Sequence, residues 1–198
     1  GISMGENGTN WYHNLTVERS TIADNAGYGI YVAGYLYGNQ HLVVTDSVIR
    51  NNTSGGIWIN LALTLQITNN LFEGNGGNAI TISGSAAAQV TNNIIQNNNG
   101  YPLSLHSSIL DEQISGNVIS GNHPDALCFD QITFTGTTIL DAGIPYVLVG
   151  TIRTESAAPL QLPAGTILKF SRNSLNVDGP FVSQGTSDDP VYFTSIKD

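Results

Sequence analysis

The chain has 198 residues, 40% hydrophobic and only 11% charged, with a formal net charge of −9. That length is enough for a folded core. Its six basic residues (Arg19, Arg50, Arg153, Lys169, Arg172, Lys197) are too few and too scattered to track a phosphate backbone, so neither nucleic acid nor an anionic membrane is an expected partner. No apolar run reaches the ~18 residues of a membrane-spanning helix. The single cysteine, Cys128, allows no internal disulfide and reads as a small hydrophobe.

Residues 1–13 are rich in glycine and polar residues and predict an entry coil or loop carrying Trp11 and Tyr12. From Asn14 a period takes over. STIADNAGYGIYV (20–32), SVIRNNTSGGIWI (47–59), NLFEGNGGNAITI (70–82), NIIQNNNGYPLSL (93–105) and NVISGNHPDALCF (117–129) align without a gap. Each opens on Ser or Asn, has an apolar residue two later, an Asn five later, and closes on an apolar pair split by one spacer. The shared asparagines are Asn25, Asn52, Asn75, Asn98 and Asn122, spaced by 27, 23, 23 and 24 residues. Repeats of this length signal a solenoid.

The stretch before each module alternates apolar and polar residues: Leu15 and Val17, Leu42 and Val44, Leu65 and Ile67, Ala88 and Val90, with Glu112 interrupting before Ile114. Alternation of period two predicts strands, and no stretch carries a helical period. The same strand recurs once per period, so equivalent strands stack in parallel about 4.8 Å apart. The expected fold is all-β: a single-stranded parallel β-helix of about seven to nine coils. Ile22, Ile49, Phe72, Ile95 and Ile119 form one inward column, Ile30, Ile57, Ile80, Leu103 and Leu127 a second, and Val32, Ile59, Ile82, Leu105 and Phe129 a third. The asparagine column is expected at a turn, as a ladder of side-chain amides.

Over residues 14–130 the pattern resembles the right-handed parallel β-helix repeats of the pectate-lyase-like superfamily. That resemblance implies the hand of the coil. It leaves function open, because the superfamily holds lyases, hydrolases, epimerases, phage tailspikes and inert surface proteins.

Residues 1–130 read as the coils with the asparagine ladder and 131–198 as further strands of different texture. Leu160 and Leu162, Ile167, Leu168 and Phe170, Leu175 and Val177, and Val191 and Phe193 alternate around turns at Pro163-Ala164-Gly165, Asp178-Gly179-Pro180 and Ser187-Asp188-Asp189-Pro190. This segment resembles the opening segment of large bacterial surface β-helix proteins, in which a PAGT-like turn precedes a P-V-x-F-T-S stretch. The resemblance implies an extracellular or cell-surface location. In those proteins a Trp-x-Gly-Ile-type coil follows, and Gly1-Ile2-Ser3-Met4 is similar to its tail. The expectation is a piece of a tandem array, or a unit that self-associates end to end.

Tyr31 and Trp58 occupy the same spacer position in adjacent coils and are expected to point outward. With Trp11, Tyr12, Tyr35 and Tyr37 they form a candidate carbohydrate-binding set, since aromatic faces stack on the apolar faces of sugar rings. The competing reading is a stack that only stabilises the sheet. Arg19, Arg50, Asp24, Asp46 and Glu73 are the candidates for a polysaccharide lyase or glycosidase, the alternative to a structural and adhesive role. They form no recurring acid pair, and ion pairs of Glu73 with Arg50, and of Arg19 with Glu18 or Asp46, are the simpler expectation. His13, His41, His106 and His123 lack metal-ligand spacing. No cofactor is expected beyond weak calcium binding at Asp188-Asp189. The sequons at Asn7, Asn14 and Asn52 bear only on a eukaryotic secretory route.

Overall fold

The computed structural model describes residues 1–4, 13–33, 40–60, 64–84, 88–106 and 114–198. Among them every regular element is a β-strand, and every strand pairing given below is parallel. The chain divides into two compact units, Gly1–Ser104 with Gln113–Asp125, and Leu105–Glu112 with Ala126–Asp198.

In the first unit three parallel sheets enclose the core. The first sheet stacks Ile2–Met4, Tyr28–Ala33, Gly55–Asn60 and Ile80–Ser83. The second stacks His13–Glu18, Gln40–Thr45, Thr64–Thr68, Ala88–Thr91 and Ile114–Ser115. The third stacks Thr21–Ala23, Val48–Arg50, Leu71–Glu73, Ile94–Gln96 and Val118–Ser120. Register matches residues of one type. Ile30 pairs with Ile57 and Ile57 with Ile80, and all three are fully buried. Leu42 meets Leu65, and Ile49 meets Phe72. Each such side chain removed from water stabilises the fold by about 1.5–3 kcal/mol. Ile119, at the last strand of its column, is only half-buried. Ile2–Met4, within the stretch expected to be an entry loop, is instead a strand, because Ile2 and Met4 extend the columns of Ile30 and Val32.

Two corners of each coil turn sharply on a residue with left-handed backbone. Arg19, Asp46, Asn69, Asn92 and Gly116 form one such file, and Asp24, Asn51, Gly74, Asn97 and Gly121 the other. Asn, Asp and Gly tolerate that conformation best, which accounts for nine of these ten residue types.

The second unit repeats the plan with shorter strands. One sheet stacks Leu127–Asp130, Tyr146–Leu148, Ile167–Phe170 and Tyr192–Ser195. A second stacks Thr133–Phe134, Ile152–Thr154 and Leu175–Val177, and a third Thr138–Ile139, Leu160–Leu162 and Phe181–Ser183. Leu160, Leu162, Leu168 and Ile152 fill its interior.

Candidate functional site

In the first unit the residue following each left-handed corner is Ser or Asn, and all of them but the exposed Ser20 are buried or half-buried. At the corner between the third and first sheets these are the shared asparagines. Asn52 Nδ2 donates to Asn75 Oδ1 at 3.0 Å and to the Ile22 carbonyl at 3.2 Å. Asn52 Oδ1 accepts from Asn25 Nδ2 at 2.7 Å and from the Asn25 N–H at 3.3 Å. The pattern continues through Asn75–Asn98 and Asn98–Asn122, both 2.8 Å. A carboxamide carries both donors and an acceptor, so identical side chains link without a break.

A second ladder runs along the other corner. Ser47 N–H donates to Asn70 Oδ1, and Asn70 Nδ2 and Asn93 Nδ2 donate to Asn93 Oδ1 and Asn117 Oδ1, each of these last two at 3.0 Å. These are the residues that open each thirteen-residue module. Their signal was the Ser-or-Asn restriction itself, which a turn preference alone also explains. Asn52 is fully buried inside the first ladder, so its sequon is closed to modification in the folded chain.

The outer face of the first sheet carries an aromatic cluster. Tyr31 and Trp58 stack with ring centroids 4.7 Å apart and planes 9° apart. That separation exceeds the ~3.5–4.0 Å between touching carbon layers, so the near-parallel rings are offset. Tyr31 is 36% exposed and Trp58 partly so. Tyr28 joins them, with centroids 6.0 Å from Tyr31 and 6.5 Å from Trp58. Its place depends on Gly55 in the next coil. A Cβ there would lie 3.0 Å from the Tyr28 ring and 2.7 Å from the Asn78 carbonyl, and the Gly55 φ of 154° disfavours a side chain. Tyr28 was not legible as a site residue because its repeat column is mixed, with Gly55 and Asn78 in the next two coils and Tyr101 and Asp125 beyond them. Trp11, Tyr12, Tyr35 and Tyr37 lie outside the described residues.

Beside the cluster sit neutral polar groups. Asn78 Nδ2 donates to Thr81 Oγ1 at 3.2 Å, and Asn78 Oδ1 accepts from the Tyr101 N–H at 2.9 Å. Asn60 follows Trp58 by two residues on the same strand and pairs with Ser83 in the next.

The acid and base candidates are placed differently. Asp24 and Asp46 stand at the two different left-handed corners. Arg50 and Glu73 are register neighbours on the third sheet, yet the expected ion pair between them does not form. Glu73 Oε1 instead accepts from Gln96 Nε2 at 2.6 Å. Arg19 pairs with Glu18 at 3.5 Å rather than with Asp46, and both side chains are well exposed. Among the described residues no three of His, Cys, Asp and Glu come together as a metal would require.

A cavity of about 760 Å³ opens at the end of the first coil against Leu15, Val17, Arg19 and Ile22. A second of about 300 Å³ in the other unit is lined by Tyr146, Asp141 and Asp189. Neither is lined by Asp24, Asp46, Arg50 or Glu73. Asp189 lies against Gly165, where a Cβ would meet its carboxylate. Tyr146 accepts a hydrogen bond from the Ala142 N–H at 2.7 Å, and burial pushes its phenol well above the ordinary tyrosine value. In the same unit His106 Nδ1 and Asp130 Oδ2 are 3.0 Å apart, a pair the dispersed histidines did not announce.

Parallel sheets, stacked inward columns and corner ladders define a β-solenoid protein. Residues 3–95 and 62–176 match the model of a family described as a right handed beta helix region, and the chain belongs to that family. The pectate-lyase-like resemblance is consistent with this membership. Comparisons with curated proteins and with solved structures return no match.

Proposed function

We propose that this chain is a non-catalytic β-helix segment of a secreted or cell-surface bacterial protein, and that it contacts glycans through Tyr28, Tyr31 and Trp58. One observation carries the reading. Three aromatic rings cluster on the outer face of a parallel sheet, partly open to solvent, where a stack serving only the core would be covered. Amphipathic aromatic surfaces of this kind suit sugar rings, whose axial C–H bonds make one face apolar. The rigid coil holds the rings in place, so little ordering entropy opposes binding.

The test is affinity electrophoresis of the folded chain through gels containing single polysaccharides. Retention is expected for at least one glycan, with loss of retention in the Tyr31→Ala, Trp58→Ala double variant. Equal retention of the variant removes these rings from the site. A parallel assay for reducing ends and unsaturated products addresses the enzymatic alternative, and product release abolished by Arg50→Ala would replace the non-catalytic reading.

A further inference from the structure

We infer that the ligand of this face is an uncharged polysaccharide, held by the aromatic cluster at its centre and by neutral carboxamides and hydroxyls at its margins; the inference rests on the glycan reading above. It starts from composition within the sheet. The first-unit strands Ile2–Met4, Tyr28–Ala33, Gly55–Asn60 and Ile80–Ser83 contain no acidic or basic side chain. In the first unit the basic residues are Arg19 and Arg50, at a corner and on the third sheet. A polyuronate or sulfated glycan would find no cation on this face, and it would approach a chain whose net charge is −9.

The margins supply what a neutral sugar needs. Asn60 is half-exposed and its side chain makes no hydrogen bond among the described residues. The same holds for Ser83, its register neighbour in the next coil. On the opposite margin Asn78 is half-exposed and spends one amide hydrogen on Thr81, and the other has no partner among the described residues. Unspent neutral donors and acceptors on both sides of an apolar centre match a pyranose ring, which is apolar on its face and hydroxylated around its rim. Carboxamides suit this rim because each both donates and accepts. The strands repeat every ~4.8 Å along the coil axis. Along that axis the open stretch runs from Tyr31 to Trp58 and ends where Thr81 is buried in the next coil, which offers room for a short run of sugars.

The experiment uses two probes, a neutral β-glucan and polygalacturonate, in affinity electrophoresis at low and at 0.5 M salt. The expected result is retention by the glucan alone, unchanged by salt because no ion pairs form. Asn60→Ala should weaken it by about tenfold, the value of one hydrogen bond of about 1.4 kcal/mol. Retention by neither probe, nor by the wider polysaccharide panel, sinks the glycan reading itself. Retention by polygalacturonate that falls with salt and still needs Tyr31 and Trp58 keeps the glycan reading and overturns the uncharged ligand. Unchanged retention in Asn60→Ala, with far-ultraviolet circular dichroism like the parent's, removes the Asn60 margin; Asn78→Ala then tests the other margin, and no effect there overturns the polar rim altogether.

Discussion

Asn122 Nδ2 lies 2.8 Å from Asp125 Oδ1, and this contact ends the carboxamide ladder. The same carboxylate accepts from the Asn122 N–H and the Gly121 N–H, each at 2.7 Å. Asp125 thus stands where the next asparagine of the file would be, and supplies acceptors without needing a further partner. Asp125→Ala takes the acceptor from the Gly121 and Asn122 N–H groups, while Asn122 Nδ2 keeps the Ile95 carbonyl at 2.9 Å, and is expected to lower stability by about 1–3 kcal/mol. Asp125→Asn keeps one oxygen for Asn122 and should cost less than the alanine. Urea unfolding of the three proteins checks the order, and an alanine variant as stable as the parent would show that water replaces the cap.

Position along the ladder sets the cost of losing a rung. Asn75 is buried and linked on both sides, to Asn52 and Asn98, and also donates to the Ile49 carbonyl at 3.1 Å. Asn75→Ala strands several buried groups at once, each worth about 1–3 kcal/mol. Asn25→Ala removes a partly exposed rung that water can serve. The expected gap between them exceeds about 2 kcal/mol. Equal midpoints in a denaturant titration would mean that ladder bonds add nothing beyond their solvated equivalents.

Tyr146 predicts a limit on alkaline stability. Burial raises its phenol, with smaller and opposed effects from the Ala142 N–H and the Asp141 charge. In the unfolded chain the phenol ionises near pH 10. Its contribution is therefore fully present below about pH 10 and is lost as pH rises from there toward the raised folded value. Above about pH 10 the parent should lose about 1.4 kcal/mol more per pH unit than Tyr146→Phe. Parallel pH profiles of the two unfolding midpoints would contradict this, whatever the variant's cost at neutral pH.

The second unit exposes apolar side chains on its last strands. Phe181 is 40% exposed, Phe193 51%, and their rings lie 6.3 Å apart. Both sit in strands at the edge of their sheets, in register with Leu160 and Leu168 of the core. An apolar patch on an open strand edge templates association. The isolated 198-residue chain is expected to associate with rising concentration in sedimentation velocity, and Phe181→Ser with Phe193→Ser should return it to a monomer. A monomeric parent at high concentration, or a variant that associates equally, would locate no interface there.

The inward columns were legible because a parallel solenoid makes each side chain meet its own equivalent one period later. A period of 23–27 residues that preserves Ile30, Ile57 and Ile80 therefore predicts core contact directly. The left-handed corners were partly legible, since Asn, Asp and Gly alternate there. The opening Ser or Asn of each module was visible as a restriction, but its ladder was not, because a turn preference gives the same pattern. Arg50 and Glu73 share a column, and register alone brought them together. Which partner Glu73 takes depended on side-chain reach, and Gln96 on the other side is the one it meets.

The feature that bears on function divides in the same way. The repeat determined that Tyr31 and Trp58 occupy one outward file, because strand alternation sets facing and the period sets stacking. Only the tertiary structure decided that Tyr28 completes the cluster, since its ring crosses to the next coil over a glycine whose missing Cβ leaves the space. That contact depends on a void between coils. A sequence period records which residues are equivalent, and not how one fills the room another leaves.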